Sequence, residues 1–167
     1  MGKWWVLFFI LRPCALVFSQ NTIGIPNIVN YTKVAYQAGS QNWNIVQDKN
    51  GIMYFANNDG LLSFDGTYWR TYPLPNKTIV RSVAMSGDNR IYVGGQKEIG
   101  YFFPGANGDL VYTSLNPLLK EKDNDFADVW SICFFNDHVF FRSNKKILEY
   151  DKNKIIVCHR EASCVAP

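Results

Sequence analysis

The residues best suited to chemistry in this sequence are three aspartates in segments rich in Gly and Asn, together with two histidines. Paired carboxylates can hydrolyse a glycosidic bond when the fold holds them a few ångströms apart. In tight turns, however, an Asp side chain commonly accepts hydrogen bonds from backbone amides. We therefore interpret Asp48, Asp59 and Asp65 as turn residues. Neither His138 nor His159 has a Ser or Cys partner in a pattern typical of nucleophilic catalysis, so the sequence predicts no catalytic residue.

The cysteines predict neither a disulfide framework nor a metal site. Cys14 lies near the N-terminus, which leaves an odd number of irregularly spaced cysteines, Cys133, Cys158 and Cys164, in the rest of the chain. Cys158, His159 and Cys164 together fall short of the four ligands of a closed zinc site. We expect no metal and no cofactor.

Binding is better supported than catalysis, because aromatic, amide and charged residues recur beside short apolar runs. An aromatic ring can cover the apolar face of a sugar while fixed polar groups orient its hydroxyls. The predicted ligand is a carbohydrate or another small polar molecule. Equivalent Trp residues can equally be structural, packing between neighbouring units. The candidate ligand-binding residues are Asn42, Trp43, Arg81, Gln96, Glu98, Asp128 and Trp130.

An internal repeat places several of these candidates in equivalent positions. Three segments, 42–72, 80–103 and 129–150, share the same order of apolar runs and turn residues. The residues just before the first apolar run of each segment are Trp43, Arg81 and Trp130. Three sets of apolar positions correspond along the repeat: Ile45, Val83 and Ile132; Ile52, Ile91 and Val139; Phe64, Phe102 and Tyr150.

Each repeat has the pattern of short antiparallel strands. Aromatic or β-branched runs are bounded by Asn-Gly and Asp-Gly turns, which tolerate the positive φ of tight hairpins. Four such strands every 40 or so residues are typical of a β-propeller blade, whereas a β-sandwich has no reason to repeat its sequence. We predict an all-β fold of about three four-stranded blades from an incomplete propeller. The predicted core comprises Ile45, Ile52, Tyr54, Phe64, Val83, Ile91, Val93, Ile132, Val139 and Phe141.

The N-terminus resembles a secretory signal peptide. Lys3 precedes the apolar run 4–11, and 17–19 has the small or branched residues of a cleavage site. A buried N-terminal strand is the alternative. No apolar run reaches the roughly 18 residues of a membrane-spanning helix. The formal charge of +3 is not clustered into a basic face, so we expect no nucleic-acid binding through this segment.

The predicted organisation follows from the repeat and the leader. Propellers close with about four to eight blades, so a chain with three is expected to be a fragment of a longer protein. The predicted segments are a signal peptide (1–19), a lead-in (20–41), blade 1 (42–78), blade 2 with an inserted loop (79–125), a partial blade 3 (126–157) and an irregular tail (158–167).

The first two repeats resemble a known family. Over about residues 22 to 155 the chain is similar to the two-component-regulator propeller repeat, and the third repeat is a looser match because Lys145-Lys146 replaces an expected Asp/Gly-Leu. The residues that carry the resemblance are Trp43, Ile45, Asp48, Gly51, Ile52, Tyr54, Asp59-Gly60-Leu61 and Phe64-Asp65-Gly66 in the first repeat, and Arg90-Ile91-Tyr92-Val93-Gly94-Gly95, Glu98, Gly100 and Tyr101 in the second.

This resemblance implies a non-enzymatic sensor on the periplasmic side of a Gram-negative cell. In that family the propeller is followed by a triple-tyrosine β-domain, a membrane helix and a cytoplasmic output, either a histidine kinase or a LuxR-type DNA-binding helix-turn-helix. Kinase and DNA-binding residues are therefore assigned to no position of this chain, and membrane attachment would come only through downstream parts. Oligomeric state is not predicted. The alternatives are a secreted lectin or adhesion module and, third, a degenerate glycoside hydrolase.

Overall fold

The computed structural model describes Gly24 and residues 28–159 of the chain. The chain divides into two compact units, residues 1–30 and residues 31–167. The described residues of the first unit contain neither helix nor strand, and the second unit contains the elements described below. The predicted signal peptide, Cys14 and the tail beyond residue 159 lie outside the described residues.

Within residues 28–159 the chain forms one short helix, α1 (Lys33–Tyr36), two single 3₁₀ turns and twelve strands. No helix in this part of the chain is long and apolar enough to cross a membrane. The 3₁₀ turns are Asn116–Leu118 and Glu121–Asp123. The strands are β1 (Asn42–Gln47), β2 (Met53–Asn57), β3 (Gly60–Phe64), β4 (Trp69–Tyr72), β5 (Val80–Met85), β6 (Ile91–Gly95), β7 (Ile99–Pro104), β8 (Leu110–Ser114), β9 (Val129–Phe135), β10 (His138–Ser143), β11 (Lys146–Tyr150) and β12 (Ile155–His159).

The strands form three four-stranded antiparallel sheets, each built from consecutive strands: blade 1 from β1–β4, blade 2 from β5–β8 and blade 3 from β9–β12. The predicted all-β fold of about three four-stranded blades is confirmed. The third blade differs from the expectation of a partial sheet, because β12 pairs with β11 along its whole length. The first strand of each blade is its inner strand, since β1 contacts β5 and β5 contacts β9.

The aspartates in the turns hold the hairpins in shape. The carboxylate of Asp65 accepts hydrogen bonds from the backbone amides of Thr67 at 2.8 Å and Tyr68 at 2.7 Å. These hydrogen bonds hold the pKa of Asp65 below its ordinary value, and the one from Tyr68 has the largest effect. Asp48 accepts from the amides of Asn50 and Ile52 in the same way. The interpretation of Asp48 and Asp65 as turn residues is confirmed.

Two apolar cores lie between the blades. The first lies between blades 1 and 2 and the second between blades 2 and 3. Of the predicted core residues, Tyr54, Val83, Ile91, Val93, Val139 and Phe141 are buried, and Ile52, Phe64 and Ile132 are half-buried.

One core prediction, Ile45, was wrong, and one correspondence within the repeat, that of Ile52 with Ile91, was wrong by one residue. Ile45 is 51% exposed, although the equivalent Val83 is 3% exposed. Val83 lies in the core against blade 1, whereas the face of blade 1 that carries Ile45 has no preceding blade among the described residues. Ile52 precedes β2, and Met53 pairs with Phe64 as Ile91 pairs with Phe102, so Met53 is the structural equivalent.

The free face of blade 1 is partly covered by Tyr31 and Tyr36. The Trp69 ring stacks on Phe64, with centroids 4.3 Å apart, and contacts Tyr31 at 5.3 Å and Tyr36 at 5.7 Å. The short helix α1 therefore serves to bring an aromatic side chain onto blade 1. Ile45 lies on the same sheet face but stays exposed.

Candidate functional site

The three repeat-equivalent residues Trp43, Arg81 and Trp130 all occupy β-bulges. In each blade the pairing of the inner strand with its neighbour skips one residue, between Asn42 and Asn44, between Val80 and Ser82, and between Val129 and Ser131. A bulge residue is unpaired, and its side chain is turned away from the regular alternation of the strand. The same backbone device thus recurs at the beginning of all three inner strands.

These bulges bring the three side chains together. The Arg81 Cζ atom lies over the Trp43 ring, 3.9 Å from its centroid, and over the Trp130 ring at 5.2 Å. The two indole rings are 6.0 Å apart and edge-to-face. Because the inner strands lie side by side, residues from three blades meet at one end of the sheets. A cation over indole faces is stabilised by the ring quadrupoles.

Asp128 completes the group, and the loop before β9 holds it in place. Arg81 Nε donates to Asp128 Oδ1 at 3.3 Å. The backbone of Asp128 forms an isolated bridge with Gln96, and the amide of Lys97 donates to the carbonyl of Ala127 at 3.1 Å. The end of the inserted loop, which joins β8 to β9 (115–128), is therefore held against the β6–β7 connection. We call Trp43, Arg81, Asp128 and Trp130 the bulge cluster.

Two asparagines, Asn57 at the end of β2 and Asn58 directly after it, orient the cluster from blade 1. Asn58 Oδ1 accepts a hydrogen bond from Trp43 Nε1 at 2.7 Å. The buried Asn57 donates from Nδ2 to Asn42 Oδ1 and to the carbonyl of Gly39, both at 2.7 Å. Sequence reasoning left Asn57 and Asn58 out of the candidate set, although one ends and the other follows the strand β2 at the same end of the blade.

Two other candidates lie outside the bulge cluster. Gln96 is exposed and contributes its backbone to the bridge with Asp128. Glu98 is buried, and its carboxylate accepts hydrogen bonds from Tyr112 Oη at 2.9 Å and Ser114 Oγ at 2.6 Å. Burial first, and then the Glu98 charge, raise the pKa of Tyr112. Glu98 is thus engaged with strand β8 of its own blade.

The bulge cluster contains a largely buried ion pair, and the hydrogen bonding of its guanidinium is incomplete. The Arg81 side chain is 13% exposed and that of Asp128 is 20% exposed, so both charges are largely removed from water. Within the described residues, Arg81 Nη1 is buried and has no hydrogen-bond acceptor. A buried polar group without a partner costs free energy, more so when it is charged. The cluster therefore has an unused donor at its centre.

A second buried charge, Lys146, was missed as a contact residue. Its ammonium donates to Asp125, and it lies 4.0 Å from Asp123 Oδ1. Ser143 Oγ accepts from the Lys146 amide at 3.0 Å. The departure of Lys145-Lys146 from the repeat pattern was the available signal. Lys146 ties the inserted loop to the β10–β11 connection.

Clefts lie at the other end of the sheets, where the inner strands finish. The larger, about 430 Å³, opens between blades 2 and 3 and is lined by Asp88, Tyr92, Phe134 and Asp137 among others. A second, about 270 Å³, lies between blades 1 and 2 and includes Tyr54, whose pKa burial raises to about 12. Neither contains a residue of the bulge cluster.

Blade 3 carries a close histidine–carboxylate pair. His138 Nδ1 lies 2.5 Å from Glu149 Oε1, across the neighbouring strands β10 and β11. His138 lies at the beginning of β10. His159 ends β12. Cys133 and Cys158 are free and exposed.

Comparison with known proteins gives the fold independently. No family model and no curated protein matches the sequence. The structure is similar to the extracellular domain of the hybrid two-component system BT4673 of B. thetaiotaomicron, with a TM-score of 0.55 and 20% identity over 72% of this chain and 16% of that one. The equivalent domain of BT3049 from the same organism gives a TM-score of 0.59 and 15% identity over 81% of this chain and 18% of that one.

A third similar structure is an enzyme, virginiamycin B lyase from Staphylococcus aureus, with a TM-score of 0.55 and 16% identity over 73% of this chain and 43% of that one. At such identities the likeness shows a shared fold, here a run of β-propeller blades. The chain spans 16% and 18% of the length of the two extracellular domains. The chain, whose sequence resembles two-component-regulator propellers, is thus also similar in structure to extracellular domains of hybrid two-component systems.

Proposed function

We propose that this chain is an exported, non-enzymatic propeller segment of a sensor, and that the bulge cluster binds its ligand. The chain supplies three neighbouring blades of a longer ectodomain on the periplasmic side of a Gram-negative cell. Its ligand is a carbohydrate or another small polar molecule. The signal would pass to an output that lies downstream of these blades.

The convergence of Trp43, Arg81 and Trp130 carries this proposal. Each residue occupies the bulge of a different blade, so a ligand in contact with all three would touch three sheets at once. Two aromatic faces, a guanidinium and a carboxylate match the few convergent polar groups and apolar walls of small-molecule sites. The extracellular neighbours and the predicted signal peptide support export.

Contacts between the blades offer a route for the signal. Arg81 in blade 2 bonds to Asp128, directly before blade 3, and Ser82 Oγ donates to the carbonyl of Val129 at 2.8 Å. A ligand can shift a protein between two arrangements only if it binds them unequally. A ligand that engages Arg81 would alter a contact that joins blades 2 and 3.

The cluster favours binding over catalysis. As the structure describes it, Asp128 is the only carboxylate in the bulge cluster, and it is paired with Arg81. Hydrolysis by the usual glycosidase route needs two carboxylates on either side of the scissile bond. The role we propose therefore requires recognition and no bond cleavage.

The test is a binding panel with tryptophan variants. The full chain would be titrated with neutral and acidic mono- and oligosaccharides while heat and tryptophan fluorescence are recorded. We expect saturable binding of at least one ligand, weakened about tenfold or more by Trp43→Ala and by Trp130→Ala, since each removes a contact face. Trp69→Phe is the control because Trp69 packs on the free face of blade 1.

Two results would contradict the proposed site. If no member of the panel binds, the chain has no ligand site of this class. If Trp69→Phe weakens binding as much as Trp43→Ala, then the ligand does not lie at the bulge cluster. Circular dichroism and thermal unfolding of each variant separate loss of binding from loss of fold.

A further inference from the structure

The bulge cluster has features that specify the charge of its ligand, and the inference below rests on the proposed function. Of the five N–H groups of the Arg81 guanidinium, Nε–H has an acceptor, Asp128, at 3.3 Å. That distance is at the long end for an N–H···O hydrogen bond. Nη1 is buried without an acceptor among the residues the structure describes. The guanidinium therefore lacks an oxygen partner at the buried Nη1.

The surrounding rings restrict how such a partner can approach. The guanidinium carbon of Arg81 lies over the indole rings of both Trp43 and Trp130. Trp43 Nε1 is already bonded to Asn58, which fixes that ring in place. A further aromatic ring or a quaternary ammonium group would need the same faces. What the guanidinium lacks is an acceptor at Nη1, and an oxygen atom of a ligand can supply it.

We infer that the Arg81 guanidinium binds a carboxylate of the ligand, so that the site recognises an acidic rather than a neutral small molecule. A carboxylate presents two coplanar oxygens that match the fork of a guanidinium. Because Nη1 is buried, the carboxylate can reach it only when the groups that cover Nη1 move aside. The site would exchange an unpaired charged donor for a charge-assisted hydrogen bond.

The charge of Asp128 should affect acidic and neutral ligands differently, which gives a second test of this inference. Its carboxylate lies beside the same guanidinium, so it repels an anionic ligand while it orients Arg81 through Nε. A neutral ligand would experience no such repulsion. Removal of the charge by Asp128→Asn should therefore strengthen the binding of an acidic ligand relative to that of a neutral one.

The experiment compares three probes on the full chain by titration calorimetry: glucuronate, glucose and acetate. Glucuronate and glucose share a sugar ring and differ in charge, whereas acetate has the carboxylate without the ring. We expect glucuronate to bind at least about tenfold more tightly than glucose, with an affinity that falls as salt is added. If acetate matches glucuronate, the carboxylate is recognised without a sugar, and the inference still holds.

Four variants locate the effect. Arg81→Gln should abolish the preference for glucuronate, and Arg81→Lys, which keeps the charge but loses the fork, should retain part of it. Asp128→Asn should raise glucuronate affinity relative to glucose affinity by several fold. Arg70→Gln is the matched control because Arg70 is exposed and pairs only distantly with Asp109, at 3.9 Å. Thermal unfolding would establish that each variant is folded, and Arg81→Lys covers the case in which Arg81→Gln is not.

The outcomes separate this inference from the proposed function. Equal affinity for glucose and glucuronate, with loss of both in Trp43→Ala, would overturn the inference and leave the proposed site standing. Unchanged glucuronate affinity in Arg81→Gln would also overturn the inference. If none of the three probes binds, the inference fails, while the proposed function is judged on the larger panel.

Discussion

The interblade core and the bulge cluster are built from neighbouring residues of the same strand, yet they are opposite environments. In β5, Val80 and Val83 are buried among apolar side chains of the first core, whereas Arg81 lies against two indoles and a carboxylate. The regular strand alternation directs side chains to a sheet face, and the bulge redirects one of them to the end of the sheets. One irregular residue per blade therefore separates the interblade core from the bulge cluster.

The largest expected effect on stability comes from a substitution in the core between blades 2 and 3. Phe141 is 0% exposed in the core between blades 2 and 3, and Phe135 is 67% exposed at the end of β9. Phe141→Ala should lower the free energy of unfolding by about 3–5 kcal/mol because it leaves a cavity. Phe135→Ala should change it by less than about 0.5 kcal/mol.

Urea unfolding followed by circular dichroism measures both variants. Similar losses in the two would mean that the assigned faces of blade 3 are wrong. The pair is matched in residue type and lies in neighbouring strands of one blade, so differences in intrinsic propensity largely cancel.

The second prediction tests how closely blade 3 approaches blade 2 beneath the cluster. A Cβ atom at Gly94 would lie 2.5 Å from Val129 Cγ1 and 2.6 Å from Ser82 Oγ, whereas at Gly87 nothing lies within 4 Å. Gly94→Ala should therefore destabilise the chain by about 1–3 kcal/mol through overpacking. Gly87→Ala, measured by the same unfolding curves, should have a much smaller effect.

The same position shows where blade 3 departs from its neighbours. In blades 1 and 2, a small residue, Ala56 or Gly94, pairs with the inner-strand residue that directly follows the bulge. In blade 3 the residue at this position is Arg142. Arg142 is exposed and its Nε donates to Ser131 Oγ at 2.9 Å. If Gly94→Ala left the free energy of unfolding unchanged, the small residue would have no packing role. The difference between Gly94 in blade 2 and Arg142 in blade 3 would then not be explained by packing.

The smallest effect concerns a turn that belongs to neither region. Backbone hydrogen bonds from Tyr68 and Thr67 lower the pKa of Asp65 from its ordinary value of 3.8. A carboxylate with a depressed folded-state pKa stabilises the fold above its unfolded pKa, and this contribution is lost as pH falls through the folded value. Asp65→Asn should therefore flatten the acid side of the stability profile, below about pH 4.

Urea midpoints recorded between pH 6 and pH 3 measure this difference. The variant should be slightly less stable at pH 6 and should converge with the parent as the pH falls. A parallel pair of profiles would show that the hydrogen bonds to Asp65 do not contribute through its charge.

The fold was largely predictable because local chemistry specifies it. Asp-Gly turns and short apolar runs mark the hairpins, and their repetition specifies blades without knowledge of long-range contacts. The failure at Ile45 has a long-range cause. Its type and position match Val83, but burial requires a neighbouring sheet, and the face of blade 1 that carries Ile45 has none among the described residues.

The candidate site was predictable only in part. Alignment of the repeats identified Trp43, Arg81 and Trp130 as equivalent, but the bulges that join them depend on pairing between strands. Glu98 lies in the loop beside Gln96, yet its carboxylate faces Tyr112 and Ser114, which no local pattern reveals. Whether the seven candidates bind a ligand stays a prediction.

The most direct test of the bulge cluster as the ligand site is a ¹⁵N NMR titration of the full chain with glucuronate. It follows the indole Nε1–H signals of Trp43, Trp69 and Trp130 and the Nε–H signal of Arg81. The account predicts saturable shifts at Arg81, Trp43 and Trp130, and none at Trp69. Shifts confined to the amides of Asn136 and Asp137 would place the ligand in the cleft between blades 2 and 3 and would contradict it.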